Sequence, residues 1–336
     1  MAKRAVITVF FLFFFISCNF TGGNEVKPAE EDENIFFTGN DEEEIEDENQ
    51  PDKDDYPFPD EKETLETKIV IATYNTHLFF DAVCDSGFCS SSDFEKQLSP
   101  SEYSQKVKDI AEALLLINAD IVLLQEIEKH ECLQDLFSET GGVYDDFFIG
   151  ETGASASVDT AVITKGEIVK TNTHLKTIPH PDGGTTTFTR AFLETHISFN
   201  NREIIVFSAH FKSKSNDDPK RREAEANAAL AIAVDVAKNN PKALVVIGGD
   251  LNDTPGSTPI SILESSADLL RVASELPAVE QATYYHEGPA AIDHIFFHKG
   301  SPWQYIPGSA EVIKDAPSWY SLLSSDHAAL RASFEF

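Results

Sequence analysis

Short runs of apolar residues, many of them β-branched or aromatic, recur along the chain from Lys68 onward. Such runs predict β-strands when polar or turn-forming residues bound them, and alternation predicts a strand with one buried face. The segment 187–199 alternates in this way. The predicted strands are 68–75, 121–126, 159–165, 187–199, 202–211, 243–250, 291–298 and 328–336.

Helical spacing of apolar residues appears between these runs. Residues 101–120 repeat apolar positions three and four apart, and Ser101 is the predicted N-cap. A long helix is predicted at 220–240, where an Asn-Asn-Pro sequence is a stop signal, and a short helix near 258–270. The chain has no internal repeat, so the pattern predicts one α/β domain over about 68–336.

The formal charge of −31 is spread unevenly over the chain. Residues 25–66 contain 19 Asp and Glu against three Lys, a net charge of −16, and residues 67–336 carry −17. Few apolar residues and self-repelling charge predict an unfolded acidic tether over 19–67, with a docking segment for a basic partner as the alternative. The acidity of the remaining chain disfavours tight non-specific binding of nucleic acids.

The first 18 residues have the layout of a secretory signal. Two basic residues precede the apolar run Ala5–Ile16, which is shorter than the roughly 20 residues that a membrane-spanning helix needs. The pair Ser17-Cys18 is similar to the lipidation site of bacterial lipoproteins. We therefore expect export and a lipid anchor at Cys18 in the cell envelope. The alternative is cleavage near Ser17, which gives a secreted or periplasmic protein.

The remaining three cysteines fit an exported protein. Cys84 and Cys89 are close enough in sequence to form a small disulfide loop in an oxidising compartment. A metal site is the alternative, but no second Cys/His pair stands at zinc spacing. We expect Cys132 to be a lone, buried thiol.

Polar side chains that can bind metal or phosphate stand at the edges of many of the apolar runs. One strand-end Asp is usually a turn former, and one His is usually structural. The recurrence of acids, amides and imidazoles instead predicts a shared cleft. These residues are Asn75, Glu126, His210, Asp250, Asn252, Asp293, Asp326 and His327.

The segments that carry these residues resemble, in order, the motifs of the endonuclease/exonuclease/phosphatase superfamily. They read ATYNTHLFFD, LLQEI, SAHFKSK, GGDLNDTPGS, AIDHIFF and SSDHAAL. Single matches are common by chance, but six in register over about 68–336 are specific. The resemblance implies a phosphoric ester hydrolase. The fold that it implies is a four-layer sandwich of two mainly antiparallel β-sheets flanked by helices.

The resemblance also implies a Mg²⁺ cofactor, for which Mn²⁺ can substitute. Phosphodiester hydrolysis needs a hard cation and an activated water, which carboxylates can position. Glu126 is the first metal ligand in this assignment, and Asn75 and Asp326 support the metal site. Asn75 is also a candidate phosphate contact. Asp250 orients or deprotonates the attacking water, and Asn252 donates to a phosphate oxygen.

Two histidine–carboxylate pairs follow from the same resemblance. His327 is the catalytic histidine and Asp293 orients it, because a carboxylate beside an imidazole fixes its tautomer and raises its basicity. His210 is the second histidine, with Asp159 as its partner. Arg190 stands where related nucleases contact phosphate, and an ordinary surface arginine is the alternative.

The substrate is less closely determined than the reaction. The aromatic-Arg and Trp-Thr-Asp-Arg signatures of inositol phosphatases are missing, and HFKSK with GDLNDTPGS is similar to exported bacterial nucleases. The favoured prediction is a Mg²⁺-dependent DNase without an obligate protein partner, whose basic cluster 212–222 is a candidate contact to the nucleic-acid backbone. A sphingomyelinase-type phospholipase, with an apolar membrane-touching loop around Phe79, Phe80 and Phe88, or another phosphatase of the superfamily is the alternative. A non-catalytic surface binding protein would not need all these polar residues.

Overall fold

A computed structural model describes residues 68–285, 287–316 and 319–336. The predictions of a signal segment, a lipid anchor at Cys18 and an acidic tether fall outside the described residues. The helices are α1 (Pro100–Ile117), α2 (His130–Glu139), α3 (Pro219–Asn239) and α4 (Thr258–Glu264), with a 3₁₀ turn at Val272–Glu275. The strands are β1 (Lys68–Phe79), β2 (Ile121–Ile127), β3 (Asp146–Gly150), β4 (Asp159–Thr164), β5 (Glu167–His174), β6 (Thr177–Pro179), β7 (Thr185–Thr187), β8 (Phe192–Phe199), β9 (Arg202–His210), β10 (Leu244–Asp250), β11 (Leu269–Arg271), β12 (Tyr284–Tyr285), β13 (Pro289–Ala290), β14 (Asp293–His298), β15 (Gln304–Tyr305), β16 (Glu311–Ile313) and β17 (Ala329–Glu335).

Most of these strands belong to two large sheets. The first has the order β15–β17–β1–β2–β4–β3, with β16 also paired to β17, and the second has the order β11–β14–β10–β9–β8–β5. Pairing within the described sheets is antiparallel except for β1 with β2 and β9 with β10. The prediction of mainly antiparallel sheets is therefore confirmed.

Alternation along the central strands builds the layers. In β1, Ile69 and Ile71 pack between the two sheets, whereas Tyr74 packs against the core under α1 and α2. In β10, Val246 faces the first sheet and Val245 faces α3 and α4. The central strands therefore carry apolar side chains on both faces, one face packed against the other sheet and the opposite face packed against helices. The order is helices, sheet, sheet, helices, as the predicted four-layer sandwich requires.

Several predicted elements have different bounds. Helix α1 is capped by Ser99, not Ser101, because Ser99 and Glu102 form a reciprocal capping box. The predicted strand 187–199 is interrupted, since the N–H and the hydroxyl of Thr189 both donate to Glu225 of α3. The predicted helix near 258–270 ends at Glu264 and gives way to β11. Helix α2 and the strands β3, β5, β6, β11, β12, β13, β15 and β16 were not predicted.

The segment between β1 and α1 contains the predicted disulfide. Cys84 and Cys89 are bonded, and Cys132 is a free, buried thiol, so both expectations are confirmed. Phe79 and Phe80 are fully buried and Phe88 is exposed. Of the three phenylalanines in the expected membrane-touching loop, two therefore belong to the core. None of the described helices has the length and apolar character needed to cross a bilayer.

Strand direction determines where the polar side chains meet. His210 and Asp250 are paired at the ends of the parallel strands β9 and β10. Asp293 begins β14, which runs antiparallel to β10, and it is paired with Asp250. His327 lies just before β17, which runs antiparallel to β1. The starts of two strands therefore lie beside the ends of the others.

Candidate active site

A cavity of about 660 Å³ opens at this edge of the two sheets. The predicted residues that line it are Glu126, His210, Asp250, Asn252, Asp326 and His327. Asn75 and Asp293 lie beneath its wall, hydrogen-bonded to lining residues. Residues as far apart in sequence as Asn75 and His327 thus meet at one cleft, as the sequence predicted.

Asn75 joins the two carboxylates that its strand approaches. Its buried amide nitrogen donates to Glu126 Oε1 at 3.3 Å and to Asp250 Oδ2 at 3.1 Å. Its oxygen accepts the N–H of His77 at 2.9 Å. Glu126 has a φ of +67°, a strained backbone conformation of the kind that clusters at functional sites. The observed role of Asn75 is to hold Glu126 beside Asp250, and its direct contact with metal or phosphate stays a prediction.

His327 and Asp293 form the predicted pair. His327 Nδ1 donates to Asp293 Oδ2 at 2.8 Å, and both side chains are buried. Burial lowers the pKa of His327, but the charge and hydrogen bond of Asp293, together with the charges of Asp250 and Asp326, outweigh burial and raise that pKa to about 10. The ring is therefore an imidazolium at neutral pH, with its Nε2 4.0 Å from Asp250 Oδ2.

Asp250 is buried at the centre of the site. Its Oδ1 accepts the N–H of Asn252 at 2.8 Å, and Asn252 also donates to the carbonyl of Phe211 at 3.1 Å. Burial raises the pKa of Asp250, and the charge of Asp293 adds to this effect. Asp250 is consequently a stronger base than an exposed carboxylate, as an acceptor of a water proton requires.

His210 faces both carboxylates without bonding to them. Its Nε2 is 3.6 Å from Asp250 Oδ2 and 3.9 Å from Glu126 Oε1. Burial holds the pKa of His210 well below its usual range, and the charge of Arg190 adds to this. His210 is therefore neutral.

The predicted pairing of Asp159 with His210 is wrong. Asp159 accepts instead the hydroxyl of Ser157 at 2.7 Å and the N–H of Thr152 at 3.2 Å. Among the described residues, no hydrogen-bond partner reaches Nδ1 of His210. The loop before β4 thus holds the carboxylate of Asp159, which the resemblance had assigned to His210.

Arg190 is not an ordinary surface side chain. Its guanidinium donates to the carbonyl of Phe211 at 3.4 Å, and burial lowers its pKa against the opposing charges of Glu126 and Asp250. Arg190 follows Thr189, whose hydrogen bond to Glu225 interrupts the predicted strand. This position brings a fixed positive charge to the carboxylates of the cavity.

Asp326 lies at the rim of the cavity. Its Oδ1 is 2.9 Å from Nδ1 of His77, which also lines the cavity. Its side chain is 43% exposed. Its role as a metal ligand stays a prediction.

Lys106 of α1 is a functional residue that sequence reasoning missed. Its ammonium donates to the carbonyls of Thr76 and His77, both at 2.8 Å, and of Ser324 at 2.9 Å. It therefore ties the end of β1 to the segment before His327. A lysine within an amphipathic helix is typical of a solvated face, so the sequence contains no signal for this role.

The donor set fits a hard divalent cation. The side chain of Glu126 is 16% exposed and faces the cavity, and carboxylate oxygens suit Mg²⁺ or Mn²⁺. Asp250, Asp293 and His327 offer three further ligand atoms within 4.8 Å of one another. His327 is already bonded to Asp293, so Glu126 is the ligand best placed to hold a cation without breaking that pair.

Comparison with known proteins agrees with the fold. A sequence profile described as the Endonuclease/Exonuclease/phosphatase family matches residues 70–276. No curated protein matches the chain significantly by sequence.

Solved structures with a similar fold include the following three. D. rerio TDP2, complexed with a single strand DNA product, is 16% identical with a TM-score of 0.57 over 80% of this chain and 100% of that chain. An endonuclease/exonuclease/phosphatase from Bacteroides vulgatus is 19% identical with a TM-score of 0.57 over 80% and 99% of the two chains. Beta toxin from Staphylococcus aureus is 20% identical with a TM-score of 0.54 over 79% and 99%.

Proposed function

This chain belongs to the endonuclease/exonuclease/phosphatase family and is a phosphoric ester hydrolase, and we propose that it hydrolyses the phosphodiester backbone of DNA with Mg²⁺. The observation that carries this proposal is the pair His327–Asp293, which points Nε2 at the buried Asp250. An acid and a base lie side by side in one cavity, and Glu126 lines the same cavity. Attack by water on phosphorus needs a base for the water proton and an acid for the departing oxygen.

The residues divide the reaction between them. Asp250 takes a proton from the attacking water, because its raised pKa makes it a competent base. His327 gives the proton on Nε2 to the departing oxygen, while Asp293 holds the ring in place. Arg190 and Asn252 offer N–H groups to the phosphate oxygens. When bound at Glu126, the divalent cation supplies positive charge against the same oxygens.

DNA as the substrate is supported by two observations. The fold is that of a protein crystallised with a single strand DNA product, and Lys214 lines the cavity with a side chain that is 55% exposed, its ammonium 3.4 Å from Asp253 Oδ1. The basic cluster 212–222 contributes less positive charge than its sequence suggests. Arg222 is buried against Asp217 at 2.6 Å and Asp253 at 3.1 Å. Contact with the backbone therefore depends on Lys214, Arg190 and the cation.

Export and anchoring complete the proposal. The basic and apolar residues before Cys18 support secretion, and the Ser-Cys pair supports a lipid anchor in the cell envelope. An anchored nuclease would act on DNA outside the cytoplasm.

A substrate panel tests this function. The full chain with Mg²⁺ is offered single-stranded DNA, duplex DNA, RNA and sphingomyelin vesicles, and acid-soluble nucleotides and phosphocholine are measured. We expect nucleotide release that a chelator abolishes and that His327→Ala lowers by about 10²- to 10⁴-fold. Phosphocholine release without nucleotide release would replace the nuclease by a phospholipase. Full activity of a folded His327→Ala protein would discard the assigned site.

A further inference from the structure

Three aromatic side chains stand beside the active-site cavity without belonging to the core. We call Tyr285, Trp319 and Tyr320 the aromatic patch. Tyr285 and Trp319 are each 58% exposed. The rings of Tyr285 and Tyr320 are stacked, with centroids 5.7 Å apart and an interplanar angle of 21°. Large aromatic rings that are grouped at a surface indicate a binding site, whereas single exposed rings need no explanation.

The patch is built into the wall of the active site. Tyr284 and Tyr285 are neighbours in β12, so their side chains point to opposite faces of the strand. Tyr284 packs on the imidazole of His327, with ring centroids 4.8 Å apart, and lines the catalytic cavity. The same two-residue strand therefore presents one ring to the catalytic histidine and the next ring to the patch.

A second cavity of about 360 Å³ lies over the patch. It is lined by the three rings together with Ser321 and Asp326. Asp326 also lines the catalytic cavity, so the two cavities share a wall. A group in the second cavity can therefore belong to the same substrate molecule as a phosphate in the first, a few covalent bonds away.

Hydrogen bonds hold the segment that carries Trp319 and Tyr320. The N–H of Asp315 donates to the carbonyl of Ser321 at 3.0 Å, and the carboxylate of Asp315 accepts the N–H of Leu323 at 2.9 Å. The N–H of Trp319 donates to the carbonyl of Ala316 at 2.9 Å. These bonds fix the backbone at Asp315, Trp319 and Ser321, which lowers the entropy lost when a ligand stacks on the rings.

One cation and one carboxylate, Lys314 and Asp326, flank the patch, so its surroundings do not call for a charged ligand. The ammonium of Lys314 lies 4.9 Å from the ring centroid of Tyr320, so this ring already has a cationic partner. A second cation, such as a quaternary ammonium, would be repelled by it. A neutral π-system would meet no such repulsion.

We propose that the aromatic patch is a stacking site for an unpaired nucleobase next to the scissile phosphate, so that the preferred substrate is single-stranded nucleic acid. This inference rests on the proposed nuclease function. Base stacking on aromatic side chains tolerates any sequence, because every base has a π-face. In an intact duplex the bases are stacked on each other and do not reach a patch on the protein.

The test compares two single-stranded DNA oligomers of equal length, one with bases and one with abasic sites flanking the cleaved bond. On the oligomer with bases, Trp319→Ala and Tyr285→Ala should each lower kcat/KM by about 5- to 150-fold, mainly through KM. On the abasic oligomer the same variants should match wild type. Trp319→Phe and Tyr285→Phe should restore most of the loss, since they keep a ring. Phe88→Ala, which removes another exposed aromatic side chain, is the matched control.

Each outcome separates the two proposals. Equal wild-type rates on both oligomers, or equal losses of the variants on both, would overturn the stacking site and leave the nuclease intact. A loss of phosphocholine release in the variants, without any nuclease activity in wild type, would overturn both and identify a site for a quaternary ammonium. Thermal unfolding of each variant shows that a loss of rate is not a loss of fold.

Discussion

Two histidine–carboxylate clusters of this molecule use the same residue types in opposite ways. The catalytic cluster consists of Asp250, Asp293 and His327, and the edge cluster consists of His174, Glu194 and His196 on β5 and β8. In the edge cluster each oxygen of Glu194 has its own imidazole, His174 at 2.8 Å and His196 at 2.7 Å. In the catalytic cluster, Oδ1 of Asp293 is buried with no hydrogen-bond partner among the described residues.

The pKa values of the carboxylates in the two clusters are shifted in opposite directions. Burial raises the pKa of Glu194, but its hydrogen bonds from His174 and His196 outweigh burial and lower it. Burial and the charge of Asp293 raise the pKa of Asp250, and the charge of His327 and the hydrogen bond from Asn252 do not offset them. A carboxylate whose charge is fully paired stabilises the fold, whereas one whose charge is incompletely paired is available for proton transfer. We expect the two clusters to respond oppositely to substitution.

The largest effect is expected for Asp250→Asn. Loss of the base should lower kcat by about 10²- to 10⁴-fold. Because the pKa of Asp250 is raised in the folded state, its charge costs stability above that pKa, and the uncharged amide removes the cost. The midpoint of urea unfolding at pH 8 should be equal to wild type or higher. A variant that loses stability and keeps its kcat would show that Asp250 stabilises the fold and is not the base.

Asp293→Asn should move the pH dependence of the reaction. Burial lowers the pKa of His327, and the charge and hydrogen bond of Asp293 make the largest contribution to raising it to about 10, so without that charge the imidazolium is lost at a lower pH. The alkaline limb of the kcat/KM profile should shift to lower pH. His327 protonation stabilises the fold fully below about pH 6.5 and ceases to do so as pH rises through about 10. An unchanged alkaline limb would show that His327 is not the acid.

Glu194→Gln should lower stability and leave the rate unchanged. Removing one partner of buried hydrogen bonds costs about 1 to 3 kcal/mol of the free energy of unfolding. The pKa of Glu194 is lowered and that of His196 is raised, so their contribution is largest between about pH 4.3 and about pH 6.5. Urea unfolding at pH 5.5 measures it. Glu203→Gln is the control, because Glu203 contacts His196 with a side chain that is 44% exposed, and its loss should be smaller.

Neither cluster's behaviour could be predicted from residue types alone. His327 and Asp293 were predicted as a pair because their motifs resemble a known family, and the pair is present. His210 and Asp159 were predicted on the same basis, but Ser157 and Thr152 bind that carboxylate. The edge cluster was not predicted, because its residues lie on strands whose pairing determines that they touch.

Lys106 and the aromatic patch show a second limit of the sequence. A helical lysine and three tyrosines or tryptophans outside any motif carry no pattern that distinguishes function from surface. Their roles follow from contacts with residues more than 20 positions away, such as Lys106 with Ser324. Arg190 was read as a strand residue, and a hydrogen bond to α3 removes its segment from the sheet.

The sequence by itself determined most strands at the centre of the two sheets, the long helices α1 and α3, and the set of polar residues at the strand edges, because hydrophobic periodicity and turn chemistry are local properties of the chain. Strand order and direction were decided only by the tertiary structure. They bring the start of β14 to the end of β10 and place Asn75 3.1 Å from Asp250, 175 positions away. Burial and the neighbouring charges then decided which of these carboxylates is paired and which is reactive, since the pKa of a group depends on what surrounds it in space.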